Sequence, residues 1–246
     1  MGFLKKGRKK KGQVTLFIII GILLLAIVIF ALILINRSKD IDGFQPDEVP
    51  PELVPIGNYV EDCLYETSEQ AFRVLGDNGG YINPQNYFEK GFVPTESDIL
   101  EFSPGSSIWM PYWWYLESEN DCNSDCMFGS HMPPLEGSGN FGPNSLLSEV
   151  NVEGMIEIYI EQNLGNCLNE FGLLTNEFEI VAEKDPEIRT SILANNIVID
   201  LTYPLEINSG VGEGKLERFR IYLPLNFRRI YNMAKDITTA QQQLNF

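Results

Sequence analysis

Apolar and polar positions change rhythm along the chain. From Val14 to Ile35 there are 22 residues, all apolar except Thr15 and Gly21, with no charge. Residues 55–76 then follow helical spacing, with Ile56, Tyr59, Val60, Cys63, Leu64, Phe72, Val74 and Leu75 on one stripe. Pro55 suits the first turn, and Asp77-Asn78-Gly79-Gly80 stops the helix. Residues 81–143 lose clear periodicity and are rich in Gly, Pro and aromatics. They predict one or two short strands among long loops. A second amphipathic helix is expected at 145–171, through Leu146, Leu147, Val150, Met155, Ile156, Tyr159, Ile160, Leu164, Cys167, Leu168 and Phe171. Segments 177–183, 189–194, 197–207 and 215–225 show partial period-2 alternation and predict a β-meander. Asp185-Pro186, Ala194-Asn195-Asn196 and the run Asn208–Gly214 supply its turns. A closing helix at 226–242 ends in a glutamine run. Helices laid on one face of an antiparallel sheet make an α+β domain.

Charge divides the chain at the same place as the rhythm. The net charge is −16 over 246 residues. Residues 1–39 hold eight basic residues and no acid. Residues 40–246 hold 10 Lys+Arg and 34 Asp+Glu, a net of −24. So acidic a body repels phosphate backbones, and nucleic acid is not an expected partner. A helix over 14–35 would be about 33 Å long, close to the roughly 30 Å hydrocarbon core. The run exceeds a cleaved secretory segment and ends in Asn36-Arg37-Ser38-Lys39, with no small-residue cleavage pattern. Six basic residues before the run place the N-terminus in the cytoplasm and the body outside. The expected order is a basic leader at 1–12, a transmembrane helix at 13–36, a Pro/Asp-rich linker at 37–51 and an extracytoplasmic domain at 52–246. Membrane lipid is then the first partner.

The start of the apolar run carries a resemblance. Lys9-Lys10-Lys11-Gly12-Gln13-Val14-Thr15-Leu16-Phe17 resembles the class III signal of archaeal type IV pilin-like proteins. The resemblance covers about 25 residues. It implies cleavage between Gly12 and Gln13, retention of the helix, and assembly with other pilin-like subunits or surface proteins. Phe17 stands where many pilins carry Glu, which removes a charge pair used in many pilus assemblies. A plain signal anchor that keeps its leader is the other reading. The order of helix, Gly-Gly-Tyr, aromatic loop, Cys-Leu helix and meander is also similar to membrane-anchored surface proteins of small-genome archaea. That resemblance implies an envelope location and no particular reaction.

Four cysteines outside the membrane favour disulfides. Cys63 and Cys167 lie on helix stripes that should share one core, so they are the expected pair. Cys122 and Cys126, four apart, are the second. Free buried thiols and a zinc site through Cys122, Cys126, His131 and a distant cysteine are the alternatives.

Candidate chemistry is sparse. Asp121, Asn123 and Asp125 match the first three ligand positions of a calcium loop. Cys126 and Met132 stand where its Gly and Glu should be. The spacing fits a different hard-cation site or a solvated acidic loop tip, and calcium is the one cofactor worth naming. Gly137–Gly142 fits G-x-G-x-x-G but Pro143 follows, and Gly210–Lys215 reads as a hairpin turn. Trp109, Tyr112, Trp113, Trp114 and Tyr115 form an aromatic segment suited to a glycan, a partner or the core. Ser130-His131 does not by adjacency give a triad, and no catalytic constellation emerges. The expected function is structural or adhesive, with binding through 109–115 as the alternative and an envelope hydrolase third.

Overall fold

A computed structural model describes residues 19–26, 28, 50–89, 91, 98–118, 126–137, 151–172, 174, 177–210 and 212–243. The chain divides into two compact units, Met1–Asp42 and Gly43–Phe246. In the first unit, residues 19–26 are helical and their apolar side chains are exposed. Among the described residues no helix is long and apolar enough to cross a membrane. Most of the 14–35 run, Gly12-Gln13, Cys122 and the Asp121–Asp125 loop lie outside the described residues.

The second unit is α+β. Helix α1 spans Val54–Asp77 and is entered through Pro55. Two short antiparallel pairs follow: β1 (Ile99–Glu101) with β2 (Trp109–Pro111), and β3 (Trp114–Leu116) with β4 (Phe128–Ser130). Helix α2 spans Val152–Leu168. It starts later than its apolar pattern suggests. Asn151 is extended (φ −134°), and its side chain accepts from the Gly154 amide at 2.7 Å. The helix begins at this N-cap, and Leu146, Leu147 and Val150 lie outside the described residues. Asn169, at φ 43°, ends the helix before Phe171.

Strands β5 (Phe178–Ala182), β6 (Glu187–Ile192), β7 (Ile197–Ser209) and β8 (Gly212–Leu223) make the main sheet, and helix α3 (Phe227–Gln243) closes the chain. The expected four-strand meander needs one correction. β8 pairs with β7 from end to end, while β6 pairs with 197–202 and β5 with 205–209. β5 and β6 therefore run in one direction along one side of β7. Asp185-Pro186 interrupts a strand and does not reverse the chain. The interruption faces an irregularity between Thr202 and Leu205. Pro204 sits there because it has no amide to give the ladder, yet its carbonyl accepts from Glu183 N at 3.0 Å.

One face of the sheet is apolar. Ile188, Ile192, Ile197, Ile199, Leu201, Leu205, Leu216, Phe219, Ile221 and Leu223 are buried there. α1 lies along β8, α2 lies along β6, and the two helices pack on each other. A Cβ on Gly214 would collide with the Leu53 side chain, so a glycine lets the entry to α1 reach the sheet. The Cys63–Cys167 disulfide joins the helices with Cα atoms 5.6 Å apart, as their shared stripe predicts. Tyr59 Oη donates to the Cys167 and Leu168 carbonyls at 3.0 and 3.2 Å beside it. Cys126 is also disulfide-bonded.

Candidate functional site

The aromatic segment is built on the end of α1. Asn78 Nδ2 donates to the Val74 carbonyl at 2.9 Å, and its Oδ1 accepts from Trp109 N at 2.9 Å. One buried side chain thus caps the helix and holds β2. Trp113 Nε1 donates to the Gly79 carbonyl at 2.9 Å. Gly79 and Gly80 have φ of 63° and 94°, a left-handed path that favours glycine and brings the backbone under these rings. The helix-stop residues are therefore also the dock for Trp109 and Trp113.

His131 lies at the centre of the next layer. Its ring stacks on Tyr115 (centroids 4.2 Å apart, 28° between planes) and touches Phe88 at 4.8 Å. Tyr115 pairs across the strands with Gly129, where a Cβ would strike its ring. Tyr81 is fully buried and its hydroxyl donates to the His131 carbonyl. Burial raises Tyr81 far above the ordinary phenol range and lowers His131 below 6.5, the latter partly opposed by the nearby charge of Asp98. His131 Nδ1 and Trp114 Nε1 are buried, with no hydrogen-bond partner among the described residues. Ser130 Oγ donates to the Trp113 carbonyl at 2.8 Å, so its proton is used in structure. From α3, Tyr231 packs on Trp113 at 5.6 Å and donates to the Pro133 carbonyl at 2.7 Å.

Trp109, Trp113, Trp114 and Tyr115 are thus half-buried packing residues, and of the five aromatic candidates only Tyr112 is classed as exposed. It belongs to a surface that the tryptophan-rich pattern conceals. In the β1–β2 register Leu100 faces Met110, which places Phe102 opposite Ile108 and Asp98 opposite Tyr112. These alternate residues share one side of the hairpin. Leu100 is 47% exposed, Phe102 68% and Tyr112 37%; Ile108 and Met110 are half-buried. On the opposite side Ile99 and Pro111 are buried, and Glu101 and Trp109 are half-buried. Alternation of Leu100 and Phe102 against buried Ile99 was the available signal.

The described residues contain no cluster of three or more His, Cys, Asp or Glu fit to hold a metal. Asp121, Asn123 and Asp125 lie outside them. Comparison with known families, curated proteins and solved structures finds no match.

Proposed function

We propose that the protein is a single-pass, membrane-anchored surface protein whose acidic ectodomain serves an adhesive or structural role. One observation carries the adhesive reading. The β1–β2 hairpin turns Leu100, Phe102 and Tyr112 to solvent in a body of net charge −24. Contiguous exposed apolar side chains on a soluble domain mark contact surfaces. Aromatic anchors at such surfaces bury large area with few rotors to freeze. The contact is therefore with a protein surface of matching apolar character, and the half-buried tryptophans stiffen the platform beneath it.

Placement outside the cell rests on the Cys63–Cys167 bond and on the basic flank of the apolar run. The run is read as the anchor, with the archaeal pilin-like leader cut at Gly12-Gln13. N-terminal sequencing of the mature protein tests that step. Gln13 as first residue supports it, and an intact Met1 contradicts it.

Adhesion is tested on cells that display the full chain. Phe102→Ser with Tyr112→Ser should leave the ectodomain folded and abolish cell–cell or cell–surface attachment. Attachment at the unaltered level would refute the hairpin as the contact. Loss of attachment in Trp113→Ala alone, with fold retained, would move the contact to the tryptophans.

A further inference from the structure

The two strands that share one side of β7 have unlike outer edges. Along β6 the outward amides are all occupied. Ile188 N donates to Glu161 at 3.1 Å, Thr190 N to Glu157 at 2.6 Å and Ile192 N to Glu153 at 2.7 Å. Arg228 caps the outward Ile192 carbonyl. Nothing can add a strand there. Along β5 the Glu183 amide points toward β7, onto Pro204. Alternation then turns the amides of Ile180 and Ala182 outward. Phe178 N, of the same parity, is taken by the Leu174 carbonyl at 3.0 Å. Those of Ile180 and Ala182 meet no acceptor among the described residues, and β5 pairs only with β7 there.

The surface beside this open edge is acidic. A hollow of about 500 Å³ lies on the helix-free face, lined by Glu179, Val181, Glu206, Asn208, Glu213 and Lys215. Val181 is 53% exposed. Lys215 is already held by Glu183 at 2.9 Å and Glu217 at 3.2 Å. Glu206 shares a side-chain hydrogen bond with Glu183, and Glu179 and Glu213 are left to face an incoming chain. A second copy pairing β5 to β5 would bring like charges together. A basic strand would place alternate Lys or Arg side chains over the carboxylates while its backbone met the Ile180 and Ala182 amides.

We propose that the β5 edge docks an extended, cationic peptide segment of a partner protein by strand addition. Main-chain bonds supply the attachment and the acidic hollow selects the charge. The surface is separate from the β1–β2 hairpin and stands whether or not that hairpin is adhesive.

The test uses the full chain in nanodiscs and a labelled peptide of alternating Lys and Val, read by fluorescence anisotropy. The peptide should bind, and a Glu/Val peptide should not. Ala182→Pro removes one outward amide without touching the ladder and should weaken binding on the order of tenfold. Methylating alternate peptide amides should do the same with the protein unaltered, which keeps the test sound if Ala182→Pro fails to fold. Glu206→Gln with Glu213→Gln should weaken binding and flatten its salt dependence. Equal binding by Ala182→Pro and by the methylated peptide would overturn the proposal, because charge alone would then explain it. No binding, or a β5-mediated dimer sensitive to Ala182→Pro, would also overturn it.

Discussion

Glu157 offers the sharpest test of how the ectodomain is held together. It is the middle of three glutamates, Glu153, Glu157 and Glu161, spaced four residues apart on α2. They meet the amides of Ile192, Thr190 and Ile188, spaced two apart on β6. Four helical residues rise about 6.0 Å and two strand residues about 6.7 Å, so the two repeats nearly match over the two steps that separate the three contacts. Glu157→Ala deletes one charge-assisted bond, worth about 1.5–3 kcal/mol, and leaves the Thr190 amide to whatever water reaches it. Burial of the carboxylate offsets part of that gain, so the expected loss is about 1–2 kcal/mol. Glu157→Gln keeps an acceptor and removes the buried charge, so its loss should stay under about 0.5 kcal/mol. Urea denaturation with the disulfides intact gives both values, and amide exchange at Thr190 should accelerate in the Ala variant alone. An Ala variant as stable as the parent, with Thr190 equally protected, would refute the reasoning. The pH dependence follows from the same geometry. Burial raises Glu153 and Glu157 above 4.5, although the amides of Ile192 and Thr190 pull them down. The folded state thus holds these protons more tightly than the unfolded chain. Stability from the pair is complete below pH 4.5 and declines as the pH rises through their folded values. Glu153→Gln with Glu157→Gln should flatten that decline.

Other expectations concern the core and the platform. Replacing Cys63 and Cys167 by Ala opens a link between residues 104 apart in sequence. The chain-entropy model gives a loss of about 4–5 kcal/mol, seen as a lower urea midpoint. Thr190→Val removes a buried hydroxyl that has no partner among the described residues and should raise stability by about 1 kcal/mol in the same assay. Trp113→Ala breaks the bond to Gly79 and the contact with Tyr231, and should cost about 3 kcal/mol by thermal denaturation.

Long elements were legible because their periods are long. The stripe from Ile56 to Leu75 and the alternation from Ile197 to Tyr203 each repeat enough to identify an element. Pairing of Cys63 with Cys167 followed, since both lie on stripes that must face one core. Boundaries were harder. The strand expected at 189–194 ends at Ile192, because Leu193 N turns back onto the Asn196 carbonyl at 2.9 Å. Asp185-Pro186 looked like a reversal, and only the partner strand reveals that the chain continues straight. The aromatic segment left core and contact readings both open for a related reason. Trp109 and Trp113 are set by Asn78 and Gly79, more than thirty residues away. In sequence the glutamates on α2 do not stand out among the 34 acidic residues, and their role appears only when β6 lies beside them.

In the proposed reading the body stands outside the membrane, and Cys63–Cys167 joins its helices. Intact cells carrying the full chain can be treated with an external protease, then with a maleimide that adds mass to free thiols, without reductant. Digestion of the ectodomain, with no thiol labelled, is the expected result. A protected body whose Cys63 and Cys167 take up label would contradict the account.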